Sequence, residues 1–406
     1  MDRCIINNVK IVTPGEIIEK GSLFIDNGII SSINASPVYP ENTSIKIIDG
    51  QGRWLLPGLI DLHNDSIEKE VEPRPHVLIP MEIALFSLES RLVNHGITSI
   101  YHSLSILEGE SAVRTEDGVI SNINEIHRLK KYGIIRHRVH ARYEITEMKF
   151  CPILTGLMDR KLIDLISFQD HTPGQGQNND LEGYRKIMRR KLSVEAYQKL
   201  MEREKRQIVA KASGRVDKFI DILAEKAQKN GLSMASHDDD SRETIIKMKS
   251  KGVTISEFPV NLEAAKAASE ENLYVMVGAP NIIRGSSASG NLRAIDAIRH
   301  RAAHIICSDY ISPTMLHALF HLHYTYGIDL VEVVKMATLN PAKAVGIGDT
   351  LGSIEKGKLA DLILVKEIDR IPFVDHVFVN GVMVMRQKRG EEYDAGRSPL
   401  PYQDFG

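Results

Sequence analysis

The feature that most constrains this chain is a repeated alternation. Eight strand-like runs are separated by segments of helical length: Leu59–His63, Ile97–His102, Arg138–Glu144, Leu162–Asp170, Leu232–His237, Val253–Phe258, Leu273–Val277 and His304–Asp309. Strands that alternate with helices form a parallel sheet, because a parallel partner needs a long crossover connection. Eight of them predict an α/β fold of the (β/α)8 TIM-type barrel class; a doubly wound open sheet is the alternative that the count leaves open. The 406 residues, 43% hydrophobic, suffice for such a barrel over 57–349 and a smaller companion.

The companion is expected from the two ends. Ile5, Ile6, Val9, Ile11 and Val12 form one apolar run, and Leu23, Ile25, Ile29 and Ile30 flank Asn27-Gly28, a strong hairpin signal. The other end looks similar, with Leu359 to Val365 and then Val377-Phe378-Val379-Asn380-Gly381. Neither segment is long enough to bury a core alone. Residues 1–56 and 350–406 are therefore expected to pair into one small β-sandwich domain. A further segment, about 174–230, is polar and then helical in composition, with Arg185, Lys186, Arg189, Arg190 and Lys191 clustered in it. It is expected as an inserted helical excursion, either a lid over the barrel mouth or a solvated surface pair.

Ligand-type side chains recur where the strands end. His63 and Asp65 close the first, Glu144 the third, His171 follows the fourth, His237 closes the fifth and Asp309 the eighth. Barrel enzymes work at this end, since eight loops converge there. His63 and Asp65 are two apart, so on an extended strand both point the same way and an imidazole and a carboxylate can share an ion. On this reading His63, Asp65, Glu144, His171, His237 and Asp309 hold a divalent metal, zinc by preference or manganese or iron, as one or two ions. Asp309 can also accept a proton from water, the catalytic role. Asp170, Asp238, Asp239 and Glu257 are expected to orient imidazoles without touching the ion. His102, His140 and His304 read as structural histidines.

Composition excludes several classes. The net charge of -2 attracts neither nucleic acid nor an anionic membrane. No apolar run reaches the roughly 18 residues of a membrane helix. The start, MDRCIINNVKIV, lacks a signal-peptide core, and Cys4, Cys151 and Cys307 suggest no disulfide framework, so a cytoplasmic location is expected. A homo-oligomer is the default for such an enzyme.

Several motifs then resemble a known superfamily. Leu56-Pro57-Gly58-Leu59-Ile60-Asp61-Leu62-His63 is similar to the opening of strand one in amidohydrolases, and Gly352 to Leu362 to their return to the β-domain. The nearer resemblance is to the PhnM family of bacterial phosphonate metabolism. It rests on His63-x-Asp65 where most amidohydrolases have His-x-His, on Pro73-Arg74-Pro75, Asp170-His171-x-Pro173-Gly174-Gln175, Ala235-Ser236-His237-Asp238-Asp239, Glu257-Phe258-Pro259, Gly278 to Gly285, Ser289-Gly290-Asn291 and Ser308-Asp309-Tyr310.

That resemblance implies a reaction and a substrate class. Family members hydrolyse alpha-D-ribose 1-methylphosphonate 5-triphosphate to the 5-phosphate and pyrophosphate, so the expected partner is a small phosphorylated sugar. A triphosphate needs cations, and Arg74, Arg284, Lys69 and Arg142 are the candidates, with loop Gly285–Gly290 as an anion nest. Arg185 or Lys191 on the inserted segment would close over the phosphates. Related proteins often carry Thr and Asn at the positions of Asn64 and Ser66, and His at that of Ala288. The alternatives are an amide or imide hydrolase or deaminase of the same superfamily, and a non-catalytic assembly role.

Overall fold

The structure is a computed structural model and describes residues 3–39, 45–109, 111–174, 185–186, 189–190, 193–287 and 290–387. Two eight-stranded sheets organise it. The first takes strands from both ends of the chain: β1 (Arg3–Val12), β2 (Ile17–Asp26), β3 (Ile29–Asn34), β4 (Lys46–Asp49) and β5 (Trp54–Pro57), then β14 (Leu362–Ile368), β15 (Ile371–Val379) and β16 (Val382–Arg386). The order is β16-β15-β14-β5-β1-β2-β3, with β4 also on β1. The ends meet where β14 runs antiparallel to β5, Ile363 opposite Leu56. Ile6, Ile11, Leu23, Leu362 and Phe378 share one apolar cluster, so each end supplies what the other lacks.

Both Asn-Gly pairs make hairpins, Asn27-Gly28 at φ 52° and 81°, Asn380-Gly381 at φ 50° and 73°. Positive φ at both central residues matches the right-handed twist of paired strands, and Gly tolerates it. The two turns also touch: a Cβ on Gly28 would lie 2.7 Å from the Asn380 carbonyl oxygen. Opposite ends of the chain are thus locked at their turns.

The second sheet is the expected barrel. Its strands are β6 (Leu59–Asn64), β7 (Ile97–Ile106), β8 (Arg136–Glu144), β9 (Leu165–Gln169), β10 (Ser233–His237), β11 (Ile255–Glu257), β12 (Tyr274–Gly278) and β13 (Ile305–Cys307). Each pairs in parallel with the next in sequence. Closure comes just past β13, where the Asp309 N–H donates to the His63 carbonyl and the Asp65 N–H to the Asp309 carbonyl, both at 2.9 Å. Every residue of β6 and β7 is buried, as strands covered on both faces require. Ile60, Leu62, Tyr101, Leu165, Ala235, Ile255, Met276 and Ile305 fill the barrel. Ala235 precedes His237 by two, and Ile255 precedes Glu257 by two, so each apolar filler has a polar side chain above it on the same face.

In the inserted region the helices Val194–Ala212 and Val216–Lys229 are described, and residues 175–184, 187–188 and 191–192, with Lys191, lie outside the described residues. Arg185 pairs with Glu204 of the first helix at 2.6 Å. No described helix is long and apolar enough to cross a membrane.

Candidate active site

The barrel mouth is shaped by unusual backbone. Asp238, Phe258 and Asp309 directly follow, or lie two past, the ends of β10, β11 and β13, and all three have φ between 52° and 58°. This left-handed region is tolerated by Asp and is rare for an aromatic residue. In each case the N–H still pairs with the neighbouring strand: Asp238 to Glu257, Phe258 to Met276 and Asp309 to His63, each at 2.9 Å. The ladder is completed, and the chain then turns sharply so that the side chain faces the barrel axis. Such strain costs on the order of 1–3 kcal/mol per residue and clusters at functional sites.

A cavity of about 250 Å³ opens there, lined by His63, Asp65, Arg142, His237, Asp238, Phe258, Arg284 and Asp309 among others. His63 is held between acids, its Nε2 3.4 Å from Asp65 and its Nδ1 3.6 Å from Glu257. Arg142 Nη1 lies 2.6 Å from Asp65 Oδ1. The Phe258 ring stands edge-on to His63, centroids 4.9 Å apart, and fixes its plane.

The electrostatics follow from this crowding. Burial opposes ionisation of Asp65, but Arg142 and His63 outweigh it and hold the carboxyl well below the usual range. Glu257 is likewise opposed by burial yet held at about 2 by His140 and His63. Burial and Arg142 disfavour charge on His63, while Asp65 and Glu257 win and lift it to about 9. Burial raises Asp309 above the ordinary carboxylate range, against the pull of His63.

The donor set fits a metal ion. His63 Nδ1 and both Glu257 oxygens are buried without a hydrogen-bond partner among the described residues, and His237 Nδ1 lies 3.1 Å from Asp238 Oδ2. Buried polar atoms are rarely left so, and each such omission asks for a missing partner. Three trios bring one ligand atom each within 4.8 Å of one another: His63, His237 and Glu257; His171, His237 and Asp238; His63, Asp65 and Asp309.

The residues expected from sequence separate into groups. His63, Asp65, His237 and Asp309 converge on the cavity, as does Arg142. Glu144 stands beside them: it accepts from Thr146 at 3.0 Å and meets His171 Nδ1 at 2.9 Å, leaving His171 Nε2 3.7 Å from Asp238. Arg284 lines the cavity at the end of the helix Ala279–Arg284. Lys69 and Arg74 are not brought to it; they line a neighbouring cavity of about 380 Å³ that shares Asp65. Ala288 and Ser289, within the expected anion nest, lie outside the described residues.

The remaining polar groups are braces. Asn64 donates to Ser308 at 2.6 Å and Ser312 at 3.0 Å, tying β6 to the loop that carries Asp309. Asp239 accepts from Ser236 and Ser256 at 2.6 and 2.7 Å, and burial raises it to about 6. His140 meets the Leu62 carbonyl and Ser167, and His304 accepts from the Val275 N–H. Sequence reasoning gave Glu257 and Asp238 only supporting roles. The strand-end rule that found His237 would have found Glu257 had the run been closed one residue earlier.

Ligand-type residues at the C-terminal ends of a closed parallel barrel, beside a sheet built from both termini, define a barrel hydrolase of the amidohydrolase type. A model of the amidohydrolase family matches residues 166–384. The chain is 35% identical over 385 residues to the alpha-D-ribose 1-methylphosphonate 5-triphosphate diphosphatase of Escherichia coli (strain K12), covering 94% of this chain and 100% of that relative. It is 23% identical over 404 residues to an imidazolonepropionase of Treponema denticola, covering 91% and 93%. Among solved structures, the N-acetylglucosamine-6-phosphate deacetylase from Pasteurella multocida superposes with TM-score 0.63 at 17% identity, over 93% of this chain and 98% of that one. The chain belongs to the amidohydrolase family, and within it is PhnM-like.

Proposed function

We propose that this hydrolase requires a divalent metal ion and cleaves alpha-D-ribose 1-methylphosphonate 5-triphosphate to the 5-phosphate and pyrophosphate, as a step of carbon–phosphorus lyase metabolism. The observation that carries the reading is the 35% identity, without truncation on the relative's side, to a protein of that named activity. The cavity supports it. Arg284 is exposed at its wall, and no carboxylate among the described residues pairs with it, so its guanidinium is available to phosphate oxygens in a fork. A neutral cyclic amide would not call for it.

His63, His237 and the carboxylates around them would hold the ion. When bound, it supplies Lewis-acid polarisation and makes water acidic enough to attack near neutral pH. Asp309, on the same wall, accepts the proton as the water oxygen bonds to the first phosphoryl phosphorus and the bond to the pyrophosphate oxygen breaks. Burial raises the Asp309 carboxyl above its ordinary value, which improves it as a base. Arg284 steadies the charge that grows on the departing pyrophosphate.

Phosphorus NMR in ¹⁸O-labelled water tests this with metal-loaded protein. Pyrophosphate is expected beside a 5-phosphate that carries the label. Label in the pyrophosphate would place attack at the second phosphoryl group, and absence of turnover with zinc, manganese and iron would remove this substrate.

A further inference from the structure

Glu257 is fully buried at the end of β11, and neither carboxylate oxygen has a hydrogen-bond donor among the described residues. The groups facing it are imidazoles: His63 Nδ1 lies 3.6 Å from one oxygen and His140 Nε2 3.6 Å from the other. His140 cannot supply the missing proton. Its Nδ1 lies 3.0 Å from the Leu62 carbonyl, which only accepts, so Nδ1 carries the hydrogen. Its Nε2 is then a lone pair, occupied by the Ser167 hydroxyl at 2.9 Å. A buried carboxylate with no hydrogen-bond donor on either oxygen is costly unless a cation stands nearby.

Asp65 is in the opposite condition. It shares the His63 imidazole, at 3.4 Å, but its charge is already answered by Arg142 at 2.6 Å. Arg142 is itself largely buried, its side chain 13% exposed, and cannot leave Asp65 without stranding a guanidinium in the barrel. Of the two acids that face the His63 ring nitrogens at 3.4 and 3.6 Å, one is therefore committed and the other waits. Glu257, His63 and His237 each offer an atom within 4.8 Å of the others.

We infer that the ion of this site is held by His63, His237 and Glu257, and that Asp65 stays outside its ligand shell as the partner of Arg142. Arg142 then acts as a built-in cation at the place where the His63-x-Asp65 pair would otherwise recruit metal. The inference rests on the proposal that the site takes a divalent ion, and not on the substrate.

Manganese-loaded wild-type crystals test it directly, because anomalous scattering locates the ion. The peak is expected against His63, His237 and Glu257, with Arg142 still on Asp65. A peak against Asp65 and Asp309 overturns the assignment. In solution, metal-free protein is titrated with Mn²⁺, read by the electron paramagnetic resonance of the free ion. Glu257→Gln should weaken binding at least about 100-fold, beyond the roughly 10–100-fold that outer groups give, whereas Asp65→Asn should leave it little changed. Asp65→Asn weakening binding as much as Glu257→Gln sinks the inference. If Glu257→Gln does not fold, Glu257→His keeps a ligand there and should bind the ion; failure of a folded Glu257→His to bind counts against the assignment. Wild-type protein that binds no ion removes the metal reading and this inference together, while an ion on other ligands removes the inference alone.

Discussion

Two buried clusters of histidine and carboxylate among the described residues of the barrel differ in how far their hydrogen bonds are completed. Between β7, β8 and the helix Met81–Asn94, His102 Nε2 meets His137 Nδ1 at 2.9 Å, and His137 Nε2 meets Glu89 at 2.9 Å. Glu89 also accepts from the Ile134 and Ile135 N–H groups at 2.6 and 3.2 Å. Within this chain of bonds, His102 Nδ1 is the atom left over. At the mouth, His63 Nδ1 and both Glu257 oxygens are left over, beside His237 Nδ1 and Asp238 Oδ2, which face each other at 3.1 Å. The residue types and burial are alike. A completed network fastens a helix to the sheet, whereas an incomplete one, set among left-handed backbone, is poised for a ligand. Satisfaction of hydrogen bonds separates structure from function here, where residue identity does not.

Four experiments can break or sharpen that contrast. The largest effect is expected for Asp309→Asn, which should lower kcat by about 10²–10⁴-fold with the ion still bound. Steady-state rates together with metal analysis check it: an unchanged kcat removes Asp309 as the base, and a lost ion makes it a ligand. Next comes Glu89→Ala in the completed cluster, which should cost about 3–5 kcal/mol of stability in urea unfolding and leave kcat of the folded enzyme unchanged. A fall in kcat would mean that the two clusters are coupled and the contrast is false.

Arg284→Ala should raise KM by roughly 10–100-fold, the value of a charged hydrogen bond of about 1.5–3 kcal/mol, and Arg74→Ala distinctly less. Equal effects in substrate titrations would join the two cavities into one binding surface. The smallest effect concerns pH. Burial, with His137 second, holds His102 well below its ordinary pKa of 6.5. A depressed histidine contributes stability that is full above the unfolded value and is lost as pH falls below it, because there only the unfolded chain gains the proton. The loss is at most about 1.4 kcal/mol per pH unit, and His102→Gln should remove it. Equal slopes for the two proteins between pH 7 and pH 5 would show that His102 protonates in the folded state.

Much of this was legible in the residues, for physical reasons that can be named. Strand alternation and helix-length spacing predicted eight barrel strands, and eight are present. Asn27-Gly28 predicted its hairpin because few residue pairs accept two positive φ values. Two short apolar ends predicted their own pairing, since neither could bury its surface alone. The position of His63, His237 and Asp309 at strand ends follows from period-two geometry, which is local.

What the sequence could not determine is who meets whom across the barrel. Arg142, expected at the phosphates, lines the cavity and there meets Asp65 at 2.6 Å, because the barrel brings β8 to the end of β6. Glu144, expected as a ligand, meets His171 Nδ1 at 2.9 Å. Lys69 and Arg74 carry the right charge and face another cavity. Glu257, expected in a supporting role, has no hydrogen-bond donor on either oxygen among the described residues. Period and propensity fix the side of a strand on which a side chain stands. Distances of a few ångströms between strands far apart in sequence arise only when eight of them close into a ring, and those distances decide which charges are already answered and which remain open.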